Sequence, residues 1–301
     1  MKSFALTKSL VVGALALIAS AQAQALNVFA CEAEWGALTK ELAGDAAEIS
    51  VATTALQDVH FIEAKPSLIA KIRRADLVVC TGASLEVGWL PQLLRQAGNS
   101  RVASGPGSFM AASFVQTLER PAQVDRANGD VHPEGNPHIH LDPHRVLAVA
   151  KALAQRLAEV DAGNAATYQS RYADFEKRWT AAMATWEAKA APLKGKRYIV
   201  HHTTFTYLFA WLGLTQVATL EPKPGVPPTS SHLAELEAMA KSGVSGILYA
   251  AYQDPKASAW LSERTGVPAI QLPFTVGGND AAQDLFGLYD STLDALLKYS
   301  K

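Results

Sequence analysis

Apolar positions along this chain switch between a strand-like and a helix-like period, and they do so in two separate sets. In the first set, runs rich in Val, Leu and Ile predict strands at 27–31, 48–53 and 76–80. Helical spacing fills 35–43, 66–74 and the stretch through Trp89, Leu90, Leu93 and Leu94, with Pro66-Ser67 marking a helix start. The second set predicts strands at 197–200, 216–220, 245–249 and 269–272. Helices at 205–212, 232–241 and 257–265 alternate with them, and a further helix closes the chain. Alternation of this kind argues for parallel sheets covered by helices on both faces. The expected fold class is α/β, with two lobes, each holding a parallel sheet flanked by helices, joined by a long rigid linker helix.

The joining region is helical throughout. Val146, Leu147, Val149, Ala150, Leu153 and Leu157 share helical spacing over 143–159, with Asp142 placed as N-cap and Pro143 as the first helical residue. Residues 165–190 contain no Gly or Pro. As one helix they span about 39 Å. Pro192 and Gly195 end this segment. The expected organisation is therefore an N-terminal lobe at 26–160, a linker helix at 161–192 and a C-terminal lobe at 193–301. Residues 122–135 are polar, with little apolar periodicity, and read as a mobile loop.

Residues 1–25 read as a secretory signal peptide. Lys2 and Lys8 precede a short apolar run, Ser9 to Ala19, and small residues then offer cleavage sites. Cys31 does not follow a lipoprotein-type sequence, so a soluble periplasmic protein is expected. The formal charge of −1 becomes 25 − 28 = −3 once the leader's two lysines are removed. That balance gives no electrostatic footprint for nucleic acid. No second apolar run approaches the ~18 residues of a membrane span. The two cysteines, Cys31 and Cys80, each end a strand-like run. In an exported chain they form a disulfide or remain as two buried thiols.

Four of the 8 histidines lie between His132 and His144. Imidazole is the commonest protein ligand of zinc and its neighbours. Ligands in parallel α/β lobes collect beyond the carboxyl ends of strands. His60, in the loop after 48–53, and Asp280, in the loop after 269–272, meet that condition, as do His201 and His202 after 197–200. His138 stands in the polar segment before the helix at 143. Three imidazoles and a carboxylate would suit tetrahedral zinc. A second pattern, His138-x-His140-x-Asp142-x-x-His144, resembles the zinc motif of metallo-β-lactamase-fold hydrolases, with Pro143 interrupting it.

Together, several blocks resemble the zinc-specific solute-binding proteins of bacterial ABC importers, a group that also contains manganese binders. They are Asp58-Val59-His60-Phe61 through Pro66-Ser67, Asp76-Leu77-Val78-Val79 with Gly82, Glu86 and Trp89, Asn136-Pro137-His138-x-x-Leu141-Asp142-Pro143, and His202-x-x-Phe205-x-Tyr207. The resemblance implies metal ligands at His60, His138, His202 and Asp280, with His201 the non-ligand of its pair and His140 in place of an aromatic residue. Val59 departs from the family's proline and Asn136 from its aspartate. The implied function is capture of zinc as cargo between two lobes and delivery to an inner-membrane ABC importer, without catalysis. Imidazole at His202, where manganese members carry a carboxylate, favours zinc over manganese or iron. Expected partners are Zn²⁺, the importer permease and a periplasmic metallochaperone, and the chain is expected to act as a monomer. His132, Asp125, Asp130 and Glu134 stand where some zinc members carry a histidine-rich loop.

Overall fold

A computed structural model describes residues 25–123, 129 and 131–299. The expected leader, up to residue 24, and the loop residues Asp125 and Asp130 lie outside the described residues. Two four-stranded sheets dominate, and every strand pairing is parallel. The first contains β1 (Leu26–Ala30), β2 (Ala47–Val51), β3 (Leu77–Cys80) and β4 (Ser108–Met110), in the order β2-β1-β3-β4. The second contains β5 (Arg197–Val200), β6 (Thr215–Thr219), β7 (Gly246–Ala250) and β8 (Ala269–Leu272), in the order β6-β5-β7-β8. All four residues of β3 are buried, as expected of a central parallel strand with helices on both faces.

Helices α1 (Ala33–Ala43), α2 (Pro66–Arg74), α3 (Leu90–Ala97) and α4 (Ser100–Ala103) belong to the first lobe. Two long helices follow, α5 (Pro143–Val160) and α6 (Ala165–Ala190). The second lobe adds α7 (Thr206–Leu212), α8 (Ser230–Ala240), α9 (Lys256–Thr265) and α10 (Leu285–Lys298). The sequence pattern did not announce β4 or α4. Each is under five residues, too short for either period to register, and Gly105-Pro106-Gly107 between them reads as a turn.

Local chemistry explains the boundaries that matter to the site. Asp142 caps α5 as expected, its side chain accepting from the backbone N–H groups of His144 and Arg145, with Pro143 at the first turn. Asp284 caps α10 by accepting from Gly287 N at 2.7 Å. Cys31 and Cys80 follow and end neighbouring strands and form a disulfide with Cα atoms 4.8 Å apart.

Helix α6 packs on α1, α5 and α10. Its inward stripe is Tyr168, Phe175, Trp179, Met183 and Trp186, all buried. Each such side chain contributes roughly 1.5–3 kcal/mol by leaving water. Their polar edges are satisfied across the molecule. Trp179 Nε1 donates to Pro143 O at 2.9 Å, and Trp186 Nε1 donates to Asp290 Oδ1 at 2.9 Å. One apolar core runs without interruption from β1 through α5 and α6 to α10, so the two sheets share a spine. Among the described residues, no helix is long and apolar enough to cross a membrane.

Candidate metal centre

Three of the four sequence-predicted ligands converge. Ligand atoms of His60, His138 and His202 lie within 4.8 Å of one another. The ring centroids are 5.7 Å apart for His60 and His138, and 5.8 Å for each of the other two pairs. The three arrive on different elements. His60 sits in the connection from β2 to α2, His138 in the connection from β4 to α5, and His202 two residues beyond β5. The first two belong to the first sheet's side and the third to the second, so the group lies where the two sets of strand ends face each other.

Two of the imidazoles are held by carboxylates. Asp58 Oδ1 lies 2.7 Å from His60 Nδ1 and also accepts from His60 N at 3.0 Å. Glu221 Oε2 lies 2.7 Å from His202 Nδ1 and accepts from Gly225 N at 2.9 Å. A carboxylate on Nδ1 keeps the proton there and leaves Nε2 as a lone-pair donor, the usual outer support of a metal-bound histidine. His60 Nε2 is buried and has no hydrogen-bond partner. Burial works against ionisation of Asp58, but the His60 contact outweighs it and holds the carboxyl below its ordinary range.

His138 is almost completely buried, and neither of its ring nitrogens has a partner. Burial pushes its imidazole well below the ordinary range, and the neighbouring His60 and His202 push the same way. It is therefore neutral near pH 7, the form that binds metal. Its backbone is fixed by Asn136, whose Oδ1 accepts from His138 N at 3.0 Å. The Asn136 amide nitrogen donates to Thr203 O at 2.7 Å and to Glu119 Oε2 at 2.9 Å. Asn136, where the family pattern has aspartate, thus ties the His138 turn to the segment after β5.

The remaining candidates stand apart from this group. Asp280 is exposed, and its carboxylate is not among the converging atoms. Its loop nonetheless reaches the site, since the Phe274 ring lies 5.6 Å from His138. His201 is not among the converging atoms; it lines the same cleft as His60 and His202 and also a neighbouring cavity of about 650 Å³ with Trp260 and Asp254. Burial lowers its pKa, against the pull of Glu221. His140 is buried, with Nδ1 3.2 Å from Glu34 Oε1 and Nε2 2.9 Å from Phe274 O. His144 is exposed and pairs with Glu187 at 2.9 Å. The hydrolase-like spacing therefore does not describe a site, because His140 and His144 point to other partners.

Sequence reasoning did not assign roles to Asp58 or Glu221, and it placed His132 only in the loop that stands where some zinc members are rich in histidine. Asp58 was findable from its i, i+2 spacing to His60. Glu221 becomes legible only once β5 and β6 are paired. Val200 lies opposite Thr219, so the residue two beyond β6 falls beside the residue two beyond β5. His132 lies 5.4 Å from His60, ring to ring. Burial lowers its pKa to about 4, with His60 and His202 acting in the same direction.

Comparison with known proteins bears on this arrangement. The family model described as zinc-uptake complex component A, periplasmic (ZnuA), matches residues 28–299. The chain belongs to this family. Similar curated members include the zinc-binding lipoprotein AdcA of Streptococcus pneumoniae serotype 4, 25% identical over 263 residues, 86% of this chain and 52% of AdcA. The chain thus spans about half the length of that relative. The metal ABC transporter substrate-binding lipoprotein SsaB of Streptococcus sanguinis is 23% identical over 290 residues, 94% of this chain and 89% of SsaB. Among solved structures, a crystal structure of ZnuA matches with a TM-score of 0.75 at 22% identity, covering 90% of this chain and 99% of that one. A mutant laminin-binding adhesin (Lmb) from Streptococcus agalactiae gives 0.74 at 22%, covering 92% and 100%. These likenesses share the two-lobe fold with its central long helix.

Proposed function

We infer that the protein is a periplasmic solute-binding protein that captures Zn²⁺ between its lobes and delivers it to an inner-membrane ABC importer. The observation that carries this reading is the convergence of His60, His138 and His202, with Asp58 and Glu221 behind two of them. Neutral nitrogen donors in this number suit zinc better than manganese, which favours oxygen ligands. The ZnuA family membership and the zinc-binding name of AdcA point the same way.

The site fits cargo better than catalysis. A catalytic zinc needs an open position for water and a free general base. Both carboxylates nearest the imidazoles are already engaged by them. Closure of the metal's sphere by Asp280 requires the loop after β8 to carry that residue inward. Release at the importer then reverses the movement, and acid weakens retention because protonated imidazoles do not bind. The metal reaches the site from solvent or from a periplasmic metallochaperone, and the chain acts as a monomer.

Equilibrium dialysis against equal concentrations of Zn²⁺ and Mn²⁺ tests the reading. One bound zinc per chain with no bound manganese is expected. Displacement of zinc by an equal concentration of manganese would overturn it.

A further inference from the structure

Glu32 and Glu86 bury two carboxyl groups at the end of the first sheet, and the three metal-facing imidazoles do not touch them. Both side chains are almost completely buried. Glu32 follows the end of β1, and Glu86 lies in the connection from β3 to α3. Glu86 Oε1 accepts from Thr81 N at 2.7 Å, and its Oε2 accepts from Gly82 N at 3.1 Å. Glu32 Oε2 accepts from Thr81 Oγ1 at 3.2 Å, while its Oε1 is buried and receives no N–H or O–H. A bare buried carboxylate oxygen is costly. A proton on it, donated to Glu86, satisfies both acids. Adjacent buried carboxyls that cannot both ionise hold a proton in this way. Burial raises Glu32 well above the ordinary carboxylate range, and the charges of Glu86 and of Glu34 on α1 add to the effect. Burial also raises Glu86, to about 7, against the backbone N–H groups of Thr81 and Gly82.

Glu86 closes this connection at both ends. Its side chain holds Thr81 and Gly82, where β3 has just ended. Its backbone oxygen accepts from Trp89 N at 3.1 Å and from Leu90 N at 2.9 Å, where α3 begins. Between these anchors Ala83 and Ser84 have φ of 50° and 63°, left-handed backbone that is disfavoured for residues with a Cβ. The path is therefore one that the anchors must maintain. Its far end meets the metal centre. Trp89 is buried, and its Nε1 donates to Val59 O at 2.8 Å. Gly88 packs so closely on the next carbonyl that a Cβ there would lie 3.2 Å from His60 O. Two consecutive carbonyls, of Val59 and His60, are thus braced by the connection that Glu86 closes. Asp58 sets the proton on the His60 ring, but it rides on the same loop and cannot fix where that loop stands.

We propose that Glu86 is a positioning residue for the metal ligand His60, holding residues 81–89 against the backbone of Val59 and His60 while a proton shared with Glu32 keeps its own carboxylate in place. The proposal rests on the zinc-capture reading above. Loss of the shared proton sets two buried negative charges side by side, with Glu34 a third nearby. Their repulsion drives Glu86 off Thr81 and Gly82, frees the left-handed turn and slackens the brace on His60. Retention of metal thus depends on a proton held away from any ligand, and it weakens on the alkaline side. Protonation of the imidazoles weakens it on the acid side, so the two effects have opposite signs.

The test compares wild type with Glu32→Gln, whose amide donates to Glu86 at every pH and cannot ionise. The first readout is the indole ¹H–¹⁵N signal of Trp89 in metal-free protein, assigned with Trp89→Phe and followed from about pH 7 to pH 9.5, the range above the raised value of Glu86. It should move with pH in wild type and stay fixed in Glu32→Gln. The second is zinc affinity by chelator competition at the two ends of that range. The two proteins should agree at the lower pH, and wild type should bind on the order of tenfold more weakly than Glu32→Gln at the higher. A wild-type indole signal unmoved by pH overturns the proposal, and it does so even if the variant does not fold. Parallel zinc profiles in the two proteins also overturn it and leave the capture reading intact. Absence of zinc binding by wild type at the lower pH overturns the capture reading instead.

Discussion

Glu221 Oε2 stands 2.7 Å from His202 Nδ1, the carboxylate arriving from beyond β6 and the imidazole from beyond the adjacent β5. The pair fixes both the tautomer and the aim of His202. Replacing Glu221 with Ala leaves the imidazole free to rotate and to move its proton. Zinc affinity should fall on the order of 10–100-fold, with one zinc still bound at saturation. Glu221→Gln, which keeps an acceptor, should fall less. Isothermal titration with zinc on both variants checks this; equal, unchanged affinities would contradict it.

His140 makes a contrasting prediction. It lies between Glu34 on α1 and the carbonyl of Phe274 beyond β8, with Thr275 Oγ1 donating to Glu34 Oε2 at 2.6 Å. Its role is to join the two lobes beneath the site. His140→Ala strands a buried carboxylate and should cost roughly 3 kcal/mol of stability, seen as an earlier denaturant midpoint, while zinc stoichiometry stays at one.

A buried acid pair gives a pH signature. Burial raises Glu86 to about 7, and it raises Glu32 well above the ordinary range, with the charge of Glu86 adding to the effect. The folded chain therefore holds protons here that the unfolded chain releases near pH 4.5. Stability from such groups is present at acid pH and is lost as pH rises through the folded value. Glu86→Gln cannot ionise, so its melting temperature relative to wild type should be higher at pH 8 than at pH 5. Melting curves of both proteins at the two pH values decide the matter; a relative change of opposite sign would contradict it.

The shared core predicts how the protein moves. Trp179 and Trp186 on α6 bond to Pro143 on α5 and Asp290 on α10, and opening the lobes widely would break both contacts. Zinc loading should move loops, chiefly the one carrying Asp280, with little change in radius of gyration. Small-angle scattering of metal-free and zinc-loaded protein measures this; a large contraction on loading would contradict it.

Much of this molecule was legible in the chain. Period-2 and period-3.6 runs located seven of the eight strands, and Asp142-Pro143 marked the start of α5 to the residue. Only β4, three residues after a Gly-Pro-Gly turn, carried too little pattern to find. The strand-end rule selected His60 and His202, and the family blocks selected His138 and preferred His202 over His201. The carboxylates behind them depended on strand register, and the approach of His132 to His60 on the path of a loop. Neither relation leaves a periodic trace. Asp280 shows the complementary limit. Position after a strand brings a residue to the right end of the sheet but does not set the path of its loop.

The central claim is that His60, His138 and His202 hold the metal and that the other histidines of the cluster do not replace them. Zinc stoichiometry and affinity, measured by competition with a chromophoric chelator, test it directly across His60→Ala, His138→Ala, His202→Ala and His140→Ala. The account predicts at least about a hundredfold loss for each of the first three, close to 2.7 kcal/mol, and near wild-type binding for the fourth. Loss of zinc by His140→Ala with retention by His202→Ala would contradict it.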